Sequence, residues 1–322
     1  MSFSSDVKEE LSKQISSARH CQIAELTAII SLCGNILISE DDTYTLKIQT
    51  ENEAVARKFF TLLKKGFNID TDVSIREYTH LKRGTAYTVW VREHEATIKI
   101  LTVTKLINPQ MEIGENLSLM DNLLLQKICC KRAFIRGAFL ANGSISDPMK
   151  SYHFEIACTS KNKAERLQAT INAFENMEAK IVTRKRHYVI YIKEGDQIVQ
   201  ILNMMEAHLA LMDLENVRIL KEVRNSVNRK VNCETANINK VVSAAMKQVE
   251  DIRYLSATIG LESLTKGLEE IARLRLEHSD IPLKELGMML TPTVGKSGVN
   301  HRLRKLSTLA EELREKQGGA IL

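Results

Sequence analysis

Leu26-Thr27-Ala28-Ile29-Ile30-Ser31-Leu32-Cys33-Gly34 and Ile135-Arg136-Gly137-Ala138-Phe139-Leu140-Ala141-Asn142-Gly143 are one nine-residue pattern written twice. Each is an apolar run with a small residue in third place, Ala28 or Gly137, and a glycine at the end. A turn follows each run, and then a stretch of alternating residues. An apolar run closed by glycine reads as a helix; alternation of period two reads as a strand. The place before the closing glycine is Cys33 in one copy and Asn142 in the other.

Outward from these runs the two copies keep one order. Ser5 or Asp6 can cap a first helix ending near Ala18, with Glu9 and Glu10 in its opening turn, where acids suit the dipole. The first motif helix covers about residues 21–32. Residues 44–49 alternate as a strand, and residues 53–65 carry Val55, Phe59, Leu62 and Leu63 on one helical face. Residues 73–75 and 86–91 then read as paired strands. After the second motif come a strand over 152–157 and a helix over 161–176 with Ala164, Leu167, Ile171 and Phe174 inward. Strands over 180–183 and 188–192 and a helix through Met204 close the unit.

An internal duplication of this kind predicts an α+β domain of two αββαββα halves, with the motif helices packed at a pseudo-two-fold axis. Ala28 and Gly137 would let those helices approach closely, loosely as small residues do in membrane helix pairs. The expected boundaries are an N-terminal helix over 1–20 and a tandem domain over 21–215, with halves of about 21–107 and 130–206. A basic helix or linker follows over 216–232, where Arg218, Lys221, Arg224, Arg229 and Lys230 face a single acid, Glu222. The rest, 233–322, is an all-α domain.

At 322 residues, 44% hydrophobic and 26% charged, the chain has the composition of a soluble globular protein with room for two or three cores. A formal charge of +5 permits nucleic-acid binding without arguing for it, so the distribution of charge decides. The polar start excludes a signal peptide and no stretch approaches the ~20 apolar residues of a membrane span, so a cytoplasmic protein is expected. The cysteines Cys21, Cys33, Cys129, Cys130, Cys158 and Cys233 show no CxxC and no neighbouring His-x-x-x-His. Buried free thiols in a reducing compartment are expected, with no metal and no cofactor.

The C-terminal part has the proportions of a helix-turn-helix over about 268–313. A supporting helix covers 269–276, a short second helix 283–290 and a turn 291–296, with Pro282 at a helix start and Ser297 as the N-cap of the third helix. Val299, Leu303, Leu306 and Leu309 recur at helical spacing; the other face carries Asn300, His301, Arg302, Arg304 and Lys305. Between Leu286 and Ala310 lie four basic residues, Lys296, Arg302, Arg304 and Lys305, and no acid. A one-sign patch on the N-terminal half of a helix suits phosphates and the major groove. Ser297 and the free N–H groups suit a phosphate oxygen, Asn300 an adenine edge, and Arg302 or Arg304 guanine. The alternative is a solvated face of an interaction domain. Arg184, Lys185 and Arg186, with His187, form a second basic patch at a hairpin tip, either an accessory DNA contact or a charged turn that keeps the hairpin soluble.

The duplicated motif resembles the LAGLIDADG homing-endonuclease fold, and the C-terminal part resembles the helix-turn-helix of sigma-factor region 4. In this order and length the chain resembles the WhiA family of bacterial DNA-binding proteins. The most specific stretches are Ser2-Phe3-Ser4-Ser5-Asp6-Val7-Lys8-Glu9-Glu10-Leu11 and Arg132-Ala133-Phe134-Ile135-Arg136-Gly137-Ala138-Phe139; Asn216-Val217-Arg218 and the stretch from Asn228-Arg229 to Asn232 add to them. The resemblance implies a double-stranded-DNA-binding transcription regulator, with a role in cell division and chromosome segregation, association with the nucleoid, and other division or transcription proteins as partners.

It also implies that the motif position filled by Cys33 and Asn142 held metal-binding aspartates in a nuclease. A neutral thiol and an uncharged amide bind Mg²⁺ poorly. Asp41, Asp42 and Asp147 fall beyond the motif, so an inactive nuclease scaffold is expected. The alternatives are a metal-dependent endonuclease with relocated ligands and a division scaffold that does not bind DNA.

Overall fold

The computed structural model describes residues 2–78, 84–108, 110, 112–113 and 123–318. The chain divides into two compact units, 1–221 and 222–322.

The first unit opens with helix α1 (Phe3–Lys13). Its cap is Ser2, whose hydroxyl accepts from the Ser5 N–H at 3.2 Å, so neither Ser5 nor Asp6 caps it. It ends five residues before Ala18, where Gln14 turns extended and donates back to Leu11. Then the same series runs twice. In the first half it is α2 (Arg19–Cys33), β1 (Gly34–Ile38), β2 (Tyr44–Thr50), α3 (Glu53–Phe67), β3 (Asp72–Tyr78), β4 (Gly84–Val91) and α4 (His94–Val103). In the second it is α5 (Ile128–Asn142), β5 (Gly143–Ile145), β6 (Phe154–Cys158), α6 (Lys161–Asn172), β7 (Lys180–Arg184), β8 (His187–Ile192) and α7 (Gly195–Met205). The two antiparallel sheets have matching orders, β1-β2-β4-β3 and β5-β6-β8-β7. Two αββαββα halves are what the duplication predicts.

Side-chain chemistry sets the bounds. Asn52 caps α3 by accepting from the Ala54 N–H at 2.9 Å, and Val55, Phe59, Leu62 and Leu63 are buried on its inner face. Helix α6 stops at Asn172, short of Asn176, because the Asn172 amide is engaged at both ends by Ala179 (2.8 and 3.2 Å), just before the next strand. The motif glycines are not left-handed caps, since Gly34 and Gly143 have φ of −86° and −82°. They are glycine for want of space: a Cβ would lie 2.4 Å from the Ile30 carbonyl oxygen and 2.3 Å from the Phe139 ring, respectively.

Helix α8 (His208–Thr258) crosses from the first unit into the second. Residues 216–232, expected as a basic helix or linker, are helix and lie within it, and every residue from 222 to 244 is exposed. Gly260, at φ 75°, breaks the chain away from α8. Helices α9 (Lys266–Glu277), α10 (Leu283–Met288) and α11 (Lys296–Gly318) follow. Ile252, Leu255, Ile271, Leu286, Val299, Leu303 and Ala310 form the core of the second unit. Arg314 on α11 pairs with the buried Asp251 on α8 at 2.7 Å. Among the described residues, no helix is long and apolar enough to cross a membrane.

Candidate nucleic-acid interface

Helices α10 and α11 are joined by a tight turn. The Val294 N–H donates to the Gly287 carbonyl at 2.9 Å, and a Cβ on Gly287 would fall 2.0 Å from the Val294 carbonyl oxygen. A Cβ on Gly298 would fall 2.6 Å from the Val294 side chain. These contacts set the direction in which α11 leaves the turn. The helix begins at Lys296, with the Val299 N–H donating to Gly295 at 3.0 Å. Ser297 therefore lies in the first turn and does not cap the helix as its residue type suggested.

Val299, Leu303, Leu306 and Ala310 are buried and fix the opposite face outward. At helical spacing Ser297, Asn300, His301 and Arg304 share one stripe, and all four are exposed, with Lys296 and Lys305 exposed at its edges. Arg302 is set apart. It is half-buried, and its guanidinium donates to the Gly267 carbonyl on α9 at 3.3 Å. The structure thus brings together six of the seven residues anticipated on this face and turns the seventh toward its own fold.

The hairpin-tip patch also separates. Lys185 takes a left-handed turn conformation (φ 55°), and Lys185 and Arg186 are exposed. Arg184 instead binds the Glu155 carboxylate at 2.9 Å, next to His153 at 3.0 Å from the same oxygen. A cationic aromatic cluster on the first sheet was not anticipated: Lys47 and Arg92 lie 5.2 and 5.1 Å from the Trp90 ring. The sequence signals it only through the two-residue spacing of Trp90 and Arg92; Lys47 joins them through the strand register.

At the motif helices, α2 and α5 approach so closely that a Cβ on Gly137 would lie 2.4 Å from the Glu25 carbonyl oxygen and 3.0 Å from the Ala28 Cβ. The Glu25 side chain, fully buried, receives Arg136 at 3.1 Å and Lys58 at 3.0 Å, and Arg136 reaches Glu206 at 2.6 Å. The motif ends carry no carboxylate. Asn142 donates its amide to the Leu32 carbonyl, and the Cys33 thiol donates to Ile29, each at 3.2 Å. Burial pushes the Cys33 thiol up to about 12, against a smaller opposing pull from Lys8 and Lys163. Burial also draws Lys8 down to about 8. The buried Lys163 ammonium donates to the Ser31 carbonyl.

Two lysines therefore face the place where a divalent cation would need negative charge. Asp41 and Asp42 are exposed in the β1–β2 turn, and Asp147 caps its own turn by accepting from the Met149 N–H at 2.9 Å. Among the described residues, no cluster of three or more potential ligands forms at the motif ends.

Three family profiles match. The WhiA N-terminal LAGLIDADG-like domain covers residues 19–107, the WhiA LAGLIDADG-like domain 131–224, and the WhiA C-terminal HTH domain 227–310. The chain is 52% identical to a "Probable cell division protein WhiA" of Lachnoclostridium phytofermentans, over 98% of this chain and 100% of the relative. It is 48% identical to a protein of the same description from Alkaliphilus oremlandii, over 98% of each. The crystal structure of full-length DUF199/WhiA from Thermatoga maritima has the same fold, with a TM-score of 0.59 at 22% identity, covering 97% of this chain and 99% of that one.

Proposed function

The chain belongs to the WhiA family, and on that premise we propose that it is a DNA-binding cell division protein that reads duplex DNA with α11 and does not cut it. The observation that carries this reading is the stripe Ser297, Asn300, His301 and Arg304, exposed on a helix whose other face is locked in the core. Lys296 and the first free N–H groups meet phosphate, the middle of the stripe reaches base edges, and Arg304 and Lys305 add charge. In this reading the protein is cytoplasmic and nucleoid-associated, acts as a transcription regulator and serves chromosome segregation. Lys185 and Arg186 supply accessory backbone contacts, and the duplicated domain serves as a platform for other division or transcription proteins.

A gel-shift salt series tests it. Arg304→Ala with Lys305→Ala should weaken binding and flatten the salt slope by about 1.8, at ~0.9 for each lost phosphate contact. An unchanged slope refutes the assignment of α11. Chromatin mapping of the same double variant separates a sequence reader, which loses discrete sites, from a general nucleoid binder.

The absence of cleavage follows from charge. Two lysines at the motif ends repel a divalent ion, the Cys33 thiol stays neutral, and Asn142 is committed to a backbone carbonyl. Supercoiled plasmid should stay intact with Mg²⁺ or Mn²⁺. Any metal-dependent nicking would defeat this reading; loss of it on substitution of Asp41, Asp42 and Asp147 would assign the ligands to those residues, and survival would place them elsewhere.

A further inference from the structure

At the ends of the motif helices remote from Cys33 and Asn142 lies a second cluster. His20 and Cys21 stand in the first turn of α2, and Cys129 and Cys130 in the first turn of α5. One step relates them. Leu26 aligns with Ile135, 109 positions on, and the same step carries His20 to Cys129 and Cys21 to Cys130. The pseudo-symmetry of the halves thus presents two pairs of side chains to each other.

The four potential ligand atoms all lie within 4.8 Å of one another. His20 Nδ1 is 3.2 Å from Cys130 Sγ, 3.3 Å from Cys21 Sγ and 4.0 Å from Cys129 Sγ. Around a tetrahedral zinc ion, with Zn–S of about 2.3 Å and Zn–N of about 2.0–2.1 Å, neighbouring ligand atoms are roughly 3.6–3.8 Å apart. The observed separations straddle that range. All three cysteines are free thiols.

We propose that His20, Cys21, Cys129 and Cys130 form a structural zinc site that clamps the first turns of the two motif helices together. Three thiolates and an imidazole are the donor set that selects zinc over the hard cations, and four protein ligands close the site. Each ligating thiol gives up its proton to solvent as the metal binds. Cys21 and Cys130 are buried while His20 and Cys129 are exposed, which gives the ion a path in and an anchored seat. The sequence hides the site because its ligands come as two neighbouring pairs from separate halves, with no CxxC.

The full chain, purified under reducing conditions without chelator, should carry about one zinc by elemental mass spectrometry. Anaerobic exchange for cobalt(II) should give the thiolate charge-transfer and tetrahedral ligand-field bands of a three-sulfur site. Cys129→Ser and His20→Ala change exposed positions, and their circular dichroism spectra should match that of the parent. Each should lose retention against a competing chelator by more than about tenfold, the loss seen when even an outer partner of a ligand is removed. Cys233→Ser, a thiol outside the cluster, should retain zinc fully. Chelation should lower the melting temperature of the parent and leave that of Cys129→Ser unchanged. Failure to take up zinc after anaerobic reconstitution, retention by Cys129→Ser and by a Cys21→Ser/Cys130→Ser double variant equal to that of the parent, or a Cys21–Cys130 disulfide in anaerobically purified protein would each overturn the proposal.

Discussion

The side-chain amide of Asn142 donates to the Leu32 carbonyl across the two motif helices at 3.2 Å. The position that would hold a metal-binding acid is therefore part of the joint between the halves. Asn142→Asp removes the donor and sets a carboxylate against a carbonyl oxygen. The variant should be less stable by about 1–3 kcal/mol, read as a lower urea midpoint, and should gain no Mg²⁺-dependent nicking. A gain of cleavage would show that the lysines nearby tolerate a cation.

Glu25 neutralises Arg136 and Lys58 in a region with almost no water: the three side chains are 0–3% exposed. Glu25→Gln keeps the shape and leaves two cations without their shared anion. A loss of about 3–5 kcal/mol is expected in chemical denaturation. Parental stability in the Glu25→Gln variant would mean that Glu206 and the carbonyls of Leu11 and Met205 suffice for both cations.

Lys8 gives a pH signature. Burial holds its folded value near 8, below the 10.5 of a free lysine, so the unfolded chain binds more protons between those two values. Stability contributed by this position therefore rises as pH climbs from about 8 toward 10.5, and the burden is largest below 8. The full difference is about 3 kcal/mol. Lys8→Met should exceed the parent in stability at neutral pH, and the gap should narrow steadily on going to pH 10. A gap independent of pH would place the Lys8 ammonium in better solvent than the packing indicates.

Arg302 and Arg304 should behave as opposites. Arg302 packs on Gly267, with a Cβ there only 3.4 Å from the guanidinium carbon, whereas Arg304 is exposed on the stripe. Arg302→Ala should lower the melting temperature with a minor change in DNA affinity, and Arg304→Ala should do the reverse. Equal affinity losses with equal melting temperatures would erase the distinction drawn between them.

The duplication, the helix-turn-helix and three strands of each sheet were legible because each rests on periodicity, which is local; the first strand of each sheet was not, since Gly34–Ile38 and Gly143–Ile145 run as strand straight from the motif glycines where a turn was expected. Val299, Leu303 and Leu306 announced the buried face of α11 at helical spacing, and their burial leaves the opposite stripe exposed. What was hidden depends on approach between distant segments. Nothing in the sequence near Arg302 announces Gly267, and nothing near Arg184 announces Glu155. The same holds for His20 and Cys130, which only the packing of α2 on α5 brings within 3.2 Å. Ser297 differs for another reason. Its type favours a cap, but the turn through Gly295 starts the helix earlier.

The buried pair Glu25–Arg136 breaks the symmetry on which the duplication was built. By the step of 109 positions, Glu25 corresponds to Phe134 and Arg136 to Thr27. Two copies of the second half, paired as the halves now pair, would set each arginine where a phenylalanine answers it. Two copies of the first half would set each glutamate against a threonine. Neither pairing of like halves keeps the Glu25–Arg136 bridge: Glu25 would retain only Lys58 of its own half, and Arg136 only Glu206 of its own. Joining unlike halves adds, at the buried centre of the seam, an ion pair that like halves do not make.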